Sequence, residues 1–298
     1  MTTTTSRQND SNSGNGNGNG RTFLVQLTDL HIREPGRLAY GRIDTAPYLA
    51  RAVQSVLALR QPPDAVVVTG DLTDFGRAAE YEHLARLLAP LAMPVYLMPG
   101  NHDDRDQLRR SFPGHAYLGT GADTDGFIQY SVRIGALRLL TLDTCVPGAS
   151  HGSLCEKRLA WLEAQLDACR HEPVVVAMHH PPFETLIGHM DEIGLLQGAD
   201  ALEALIARHP NVERVICGHL HRAIDVRFGG TIASTSPAQA HQVCLDLAPD
   251  APSAWTLEPP AFRVHAWSAN SRRLVTHLAA SGTFEGPYPF HDNGALID

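Results

Sequence analysis

Histidine, aspartate and asparagine recur in this chain at positions that could hold metal ions. Two pairs stand two residues apart, Asp29-x-His31 and His219-x-His221. Others sit in Gly70-Asp71-x-x-Asp74, Gly100-Asn101-His102-Asp103 and Met178-His179-His180-Pro181-Pro182. Histidine is the commonest metal ligand and the side chain whose charge changes near neutral pH. There are 16 histidines against 24 Lys plus Arg, but the number alone proves nothing. In an extended segment, residues two apart point the same way, so each pair is expected to offer both side chains to one site. The glycines at 70, 100 and 218 are expected to let the chain turn sharply as it leaves each strand.

What must position these residues is a set of buried strands. Apolar, β-branched runs predict strands at 23–27, 65–68, 95–98, 174–178 and 212–217, and each runs directly into one of the motifs. Helical spacing is read at 45–59, 78–88, 157–169 and 199–208, with Pro47 near the start of the first. Further strands are predicted at 129–134 and 137–142, joined at Gly135-Ala136. From Arg222 short strands take over, at 224–228, 231–234, 242–247, 262–267 and 273–278. In open α/β sheets ligands bind beyond the carboxyl ends of strands, so five such ends can bring distant side chains to one spot.

The expected organisation is a low-complexity, disordered tail at 1–20, one α/β domain at 21–281 with a β-rich last part, and an extended tail at 282–298 packing on the body. The first segment has no basic or apolar run of the kind a secretory signal needs. No apolar run approaches the ~20 residues that would cross a bilayer, so no membrane partner is expected. Five widely spaced cysteines (145, 155, 169, 217 and 244) fit reduced thiols and a cytoplasmic setting better than a disulfide framework. The net charge of −8 argues against long nucleic acids as partners.

With its motifs in this order, the chain resembles the calcineurin-like metallophosphoesterases over about residues 22 to 235. Within that family it looks most like the bacterial class III cyclic nucleotide phosphodiesterases and glycerophosphodiesterases. Gly41-Arg42-Ile43-Asp44-Thr45, Met178-His179-His180-Pro181-Pro182 and Gly188-His189-Met190-Asp191 carry that likeness. The resemblance implies a four-layer αββα sandwich of two mixed sheets and a dinuclear centre. By motif, one ion would take Asp29, His31 and His221. The other would take Asn101, His179 and His219, and Asp71 would bridge them. Such oxygen and imidazole donors suit Fe, Mn, Zn or Co, as two divalent ions or Fe(III) with a divalent partner. Ions so bridged lie roughly 3.5 Å apart and clamp the attacking and leaving oxygens of an in-line displacement by metal-activated hydroxide.

The same carry-over makes His102, beside Asn101, a catalytic or phosphate-orienting group. Asp74 and Asp103 are expected to fix ligand imidazoles. Arg33, Tyr40, His189 and Asp191 are candidates to line the substrate mouth, and His180 is not expected to be a ligand. The other histidines, His241 and His265 among them, are expected to be structural or solvated. The implied activity is hydrolysis of small phosphodiesters, such as 3′,5′-cyclic AMP or glycerophosphodiesters. The alternatives are a phosphomonoesterase or nucleotidase, or a non-catalytic scaffold. The late β segments could form a cap or a homo-oligomer interface.

Overall fold

The computed structural model describes residues 20–120 and 125–297, so all but Gly20 of the expected N-terminal tail lies outside the described residues. The chain runs β1 (Arg21–Leu27), α1 (Ala46–Leu57), β2 (Ala65–Thr69), α2 (Ala78–Leu88), β3 (Val95–Met98) and α3 (Arg105–Ser111). Next come β4 (Ser131–Ile134), β5 (Leu137–Leu142), β6 (Gly152–Ser153), α4 (Glu156–Ala168), β7 (Val174–Met178) and α5 (Gly188–Asp191). They are followed by β8 (Leu195–Gln197), α6 (Ala199–Ala207), β9 (Val212–Cys217), β10 (Ile224–Phe228) and β11 (Thr231–Thr235). The last elements are β12 (Gln242–Val243), β13 (Trp255–Thr256), β14 (Ala261–Ser268), β15 (Arg273–Ala280), β16 (His291–Asp292) and β17 (Ala295–Leu296).

Two sheets dominate. One has the order β15-β14-β1-β2-β3 and the other β10-β11-β9-β7-β5-β4. In the first, β1, β2 and β3 are parallel and β14 and β15 antiparallel. In the second, β5, β7, β9 and β11 are parallel, with antiparallel β4 and β10 at the edges.

Strand alternation explains the layering. Val25, Leu27, Val66 and Val68 face α1 and α2, packing with Leu49, Val53, Tyr81 and Leu84. Val174, Val176, Val215 and Cys217 face α4 and α6, packing with Leu162, Leu166, Leu202 and Ile206. The intervening residues Leu24, Val67, Leu139, Val175, Ala177 and Ile216 meet between the sheets. Each valine, leucine or isoleucine among them contributes roughly 1.5–3 kcal/mol when fully buried. Strands covered on both faces read as continuous apolar runs, which is why these were visible in the sequence. The architecture is the expected αββα sandwich.

Several expectations need correction. The strand expected at 129–134 begins only at Ser131, because Gln129 and Tyr130 precede the regular ladder. The one expected at 242–247 stops at Val243, and Leu245 and Leu247 are exposed. Helix α3 was not anticipated. It is short and polar, with Leu108 its buried residue, and the Asp104 carboxylate caps it by accepting from the Gln107 amide at 2.6 Å. The C-terminal stretch is fastened at its start, where the Gly282 amide donates to Ser55 Oγ. Beyond that it does not pack on the body: residues 283–297 are exposed and end in the small β16–β17 ladder.

Candidate metal centre

The parallel strands of both sheets end on one side, and the loops that follow are locked together by their backbones. The Asp29 amide donates to Gly70 O at 3.1 Å and the His31 amide to Asp71 O at 3.0 Å. The Gly218 amide donates to His179 O at 3.0 Å, joining the loops after β7 and β9. Asp29, His31, Asp71, His219 and His221 all have positive φ, between 44° and 70°. The paired residues are therefore not in extended segments, and the expected same-face argument does not apply to them. Each such non-glycine backbone costs of order 1–3 kcal/mol and persists where its surroundings over-determine it.

The glycines also act differently from expectation. Gly70 does turn with positive φ, at 92°. Gly100 and Gly218 are needed for room instead. A Cβ on Gly100 would lie 2.2 Å from Asp71 Oδ1, and one on Gly218 2.3 Å from Thr28 Oγ1.

Two adjoining groups of donors result. In one, His31 Nε2 lies 3.3 Å from His221 Nε2, and His221 Nε2 lies 3.4 Å from Asp29 Oδ1. In the other, His179 Nε2 lies 3.1 Å from Asn101 Oδ1, and the His179 and His219 ring centres are 5.2 Å apart. Asp71 Oδ2 stands between them, 3.6 Å from His31 Nε2 and 3.4 Å from His179 Nε2. The pair His219-x-His221 is thus divided, one residue to each group.

The outward bonds of the rings aim their inner nitrogens. His31 Nδ1 meets Asp74 Oδ1 at 3.2 Å, His179 Nδ1 meets Thr69 O at 2.9 Å, and His221 Nδ1 meets His241 O at 3.0 Å. These oxygens only accept, so each Nδ1 carries a hydrogen, and in the neutral ring each Nε2 turns a lone pair inward. In that form lone pairs face each other, Nε2 to Nε2 between His31 and His221 and Nε2 to Oδ1 between His179 and Asn101; without cations, Asp71 favours a proton on His179 instead. His219 Nε2 is buried and has no partner. Cations between these atoms would satisfy all of them, and the set of oxygen and nitrogen donors without thiolate fits Fe, Mn, Zn or Co.

Electrostatics agree. Burial raises Asp29 to about 6, and His179 opposes this in part. Burial would raise Asp71 too, but the His179 and His102 rings outweigh it and hold the carboxyl well below its usual range. Burial lowers His179, yet Asp71 overcomes this and raises it to about 9. Burial and then His179 push His219 down to about 3, and burial and then His241 hold His221 well below its usual value. The carboxylates draw positive charge to the centre, while His219 and His221 stay neutral, the form that binds metal.

Around the donors lies a cavity of about 300 Å³ lined by His102, Tyr40, His189, His241 and Trp255, among others. Within it, His102 Nδ1 donates to Asp74 O at 2.9 Å, leaving Nε2 for the cavity. His189 also lines the cavity, with its Nδ1 buried and unpartnered. Arg33 does not line the cavity. It pairs with Asp74 at 3.1 Å and Glu80 at 3.0 Å, behind His31. Asp74 holds the His31 imidazole as expected, but Asp103 does not hold one. Its carboxylate accepts from the amides of Leu72, Thr73 and Gly100 and from Tyr81 Oη, so it shapes the loops instead. Asp191 is likewise turned away, accepting from the Thr185 amide and hydroxyl. His180 is fully buried, with both ring nitrogens engaged by Thr144 and Ser150 O.

His241 was missed. It is buried, its ring centre is 4.6 Å from that of His221, and its Nε2 is 3.3 Å from Tyr40 Oη. The available signal was topological: β11 is parallel to β9, so the residues after it emerge on the same side. The segment 236–258 contributes His241, Val243 and Trp255 to the cavity lining.

A family model described as calcineurin-like phosphoesterase matches residues 24–223. A protein of Arcobacter nitrofigilis described as a probable glycerophosphodiester phosphodiesterase is 36% identical over 276 residues, 92% of this chain and 99% of that one. A probable cyclic nucleotide phosphodiesterase of Rhodopseudomonas palustris is 38% identical over 278 residues, covering 91% of this chain and 97% of that one. Among solved structures, a dimetal phosphatase from Danio rerio superposes with a TM-score of 0.59 at 17% identity, over 88% of this chain and 99% of that one.

Proposed function

Since the chain belongs to the calcineurin-like phosphoesterase family, we propose that it is a metal-dependent phosphodiesterase acting on small diesters, either 3′,5′-cyclic nucleotides or glycerophosphodiesters. The observation that carries this reading is the pair of inward-facing donor groups sharing Asp71. Asp29, His31 and His221 would hold one ion, and Asn101, His179 and His219 the other. When bound, the ions supply Lewis acidity toward phosphoryl oxygens and lower the pKa of the attacking water. The donor set admits Fe, Mn, Zn or Co.

The chain's own residues do the rest. Asp74 orients two rings at once, His31 through its carboxylate and His102 through its carbonyl. His102 turns its Nε2 toward the cavity, placed to pass a proton to the departing oxygen. Tyr40 and Trp255, with ring centres 5.7 Å apart, give the substituent an aromatic wall. No lysine or arginine lines the cavity among the described residues, so charge on the substrate is met at the metal centre. If both ions were divalent, Asp29, Asp71 and a hydroxide would leave a net charge of about +1 there, which would match a diester monoanion better than a monoester dianion.

The net charge of −8 favours small substrates over nucleic acid polymers. The five cysteines are free and no helix of the described residues is long and apolar enough to cross a membrane, which supports a cytoplasmic setting. The test compares cyclic AMP, bis-(p-nitrophenyl) phosphate and p-nitrophenyl phosphate under one metal loading. The diesters are expected to turn over faster; a monoester rate far above both would overturn the reading in favour of a phosphomonoesterase.

A further inference from the structure

The two donor groups are assembled across the gap between the sheets. Asp29, His31, Asp71 and Asn101 follow strands of one sheet, and His179, His219 and His221 follow strands of the other. The separation of the sheets therefore sets the separation of the ligands. Apolar side chains fill most of that gap, and they fix no exact distance, since packing is non-directional. Directly beneath the site the filling changes.

Gln26, fully buried near the end of β1, sends its Nε2 across the gap to Cys217 O at 2.9 Å, and the same amide donates to Thr69 Oγ1 at 3.0 Å. Cys217 is the last residue before Gly218-His219-x-His221. Thr69 is the last residue of β2, and its carbonyl accepts from His179 Nδ1 at 2.9 Å. One amide group thus binds the chain on both sides of the gap within two residues of Asp71 and of His219.

Its neighbour does the same. Arg263 of β14 is the register partner of Gln26, and Thr235 of β11 is the register partner of Cys217. The Arg263 guanidinium crosses from one sheet to the other, donating from Nε to Thr235 O at 2.8 Å and from Nη2 to Asp225 Oδ2 at 3.0 Å. The Gln26 amide is itself held. His265 Nε2 meets its Oε1 at 3.2 Å, and His265 Nδ1 meets Thr276 Oγ1 at 2.9 Å. Because Oε1 only accepts, His265 carries its hydrogen on Nε2, which directs the Gln26 NH₂ toward Thr69 and Cys217.

We propose that Gln26 and Arg263 form a polar clamp between the sheets that fixes the distance between the donor residues carried by one sheet and those carried by the other, and so the spacing of donors within each group. They are positioning residues, acting through Thr69, Cys217 and Thr235, and touch neither metal nor substrate. The inference rests on the two-metal reading of the site.

The test uses the full chain titrated with Mn²⁺, followed by calorimetry and by the exchange-coupled EPR signal of a close ion pair. Four proteins are compared: wild type, Gln26→Met, Thr69→Val, and Leu139→Ala as a control for general loosening of the inter-sheet core. Gln26→Met keeps length without the amide; Thr69→Val removes the hydroxyl that accepts from Gln26 and donates to Leu27 O, and carries the test should Gln26→Met fail to fold. Wild type is expected to bind two Mn²⁺ ions with a coupled signal. Both clamp variants are expected to bind the weaker ion about tenfold less tightly, or worse, and to lose the coupled signal. Leu139→Ala is expected to melt earlier and keep it. Clamp variants with wild-type affinities and signal would overturn the clamp alone, as would equal loss in Leu139→Ala. A wild type that binds a single ion would overturn the two-metal reading and the clamp with it.

Discussion

The two sheets bring different chemistry to the centre. The loops of the β1–β3 sheet supply the negative charge, Asp29 and Asp71, together with Asn101 and the cavity-facing His102. The loops of the β5–β11 sheet supply nitrogen only, His179, His219 and His221, with His241 just behind. In the first, carboxylates attract cations. In the second, burial keeps His219 and His221 neutral and their lone pairs available. Neither sheet alone supplies all of these donors, so their arrangement depends on the relative placement of the sheets. Asp71 Oδ2 stands between the two groups, 3.6 Å from His31 Nε2 and 3.4 Å from His179 Nε2.

The largest effect on this division should come from Asp71→Ala. It removes the shared carboxylate, so metal analysis is expected to show loss of tight binding, and turnover is expected to fall on the order of 10³-fold or more. Two tightly held ions and a normal rate in that variant would contradict the assignment. Next in size is His102→Ala, which leaves both donor groups intact. Metal content should be unchanged while kcat falls by about 10²–10⁴-fold, most for substrates with poor leaving groups.

Smaller changes sharpen the comparison. Arg33→Met removes the cation that braces Asp74 from behind, and metal affinity or kcat is expected to drop by about tenfold without a change in KM. Trp255→Ala should do the reverse. It strips the aromatic wall but no ligand, so KM is expected to rise by about fivefold, equivalent to about 1 kcal/mol, with kcat held.

Much of this was readable in the sequence for a physical reason. Val66, Val67 and Val68, or Val174, Val175 and Val176, are buried on both faces and so stand out as apolar runs, and the ligands follow within a few residues. Other features had no such signature. Helix α3 buries Leu108 alone, so it has no apolar stripe. His241 comes from a loop whose course depends on β11 pairing in parallel with β9, a relation between residues far apart. The positive φ of Asp29, His31, Asp71, His219 and His221 suits residue types that tolerate it better than most, but Asp and His are common enough that the type alone does not locate such positions. Arg33 lies close to the first motif in sequence, yet its ion pairs with Asp74 and Glu80 turn it away from the cavity. The exposed course of 283–297 runs against its aromatic content, which by itself predicts packing on the body.

The most direct test of the two-group account is anomalous scattering from crystals of the full chain grown with Mn²⁺. Two peaks are predicted, one among Asp29, His31 and His221, the other among Asn101, His179 and His219, with Asp71 reaching both. A single peak, or peaks outside these side chains, would contradict it.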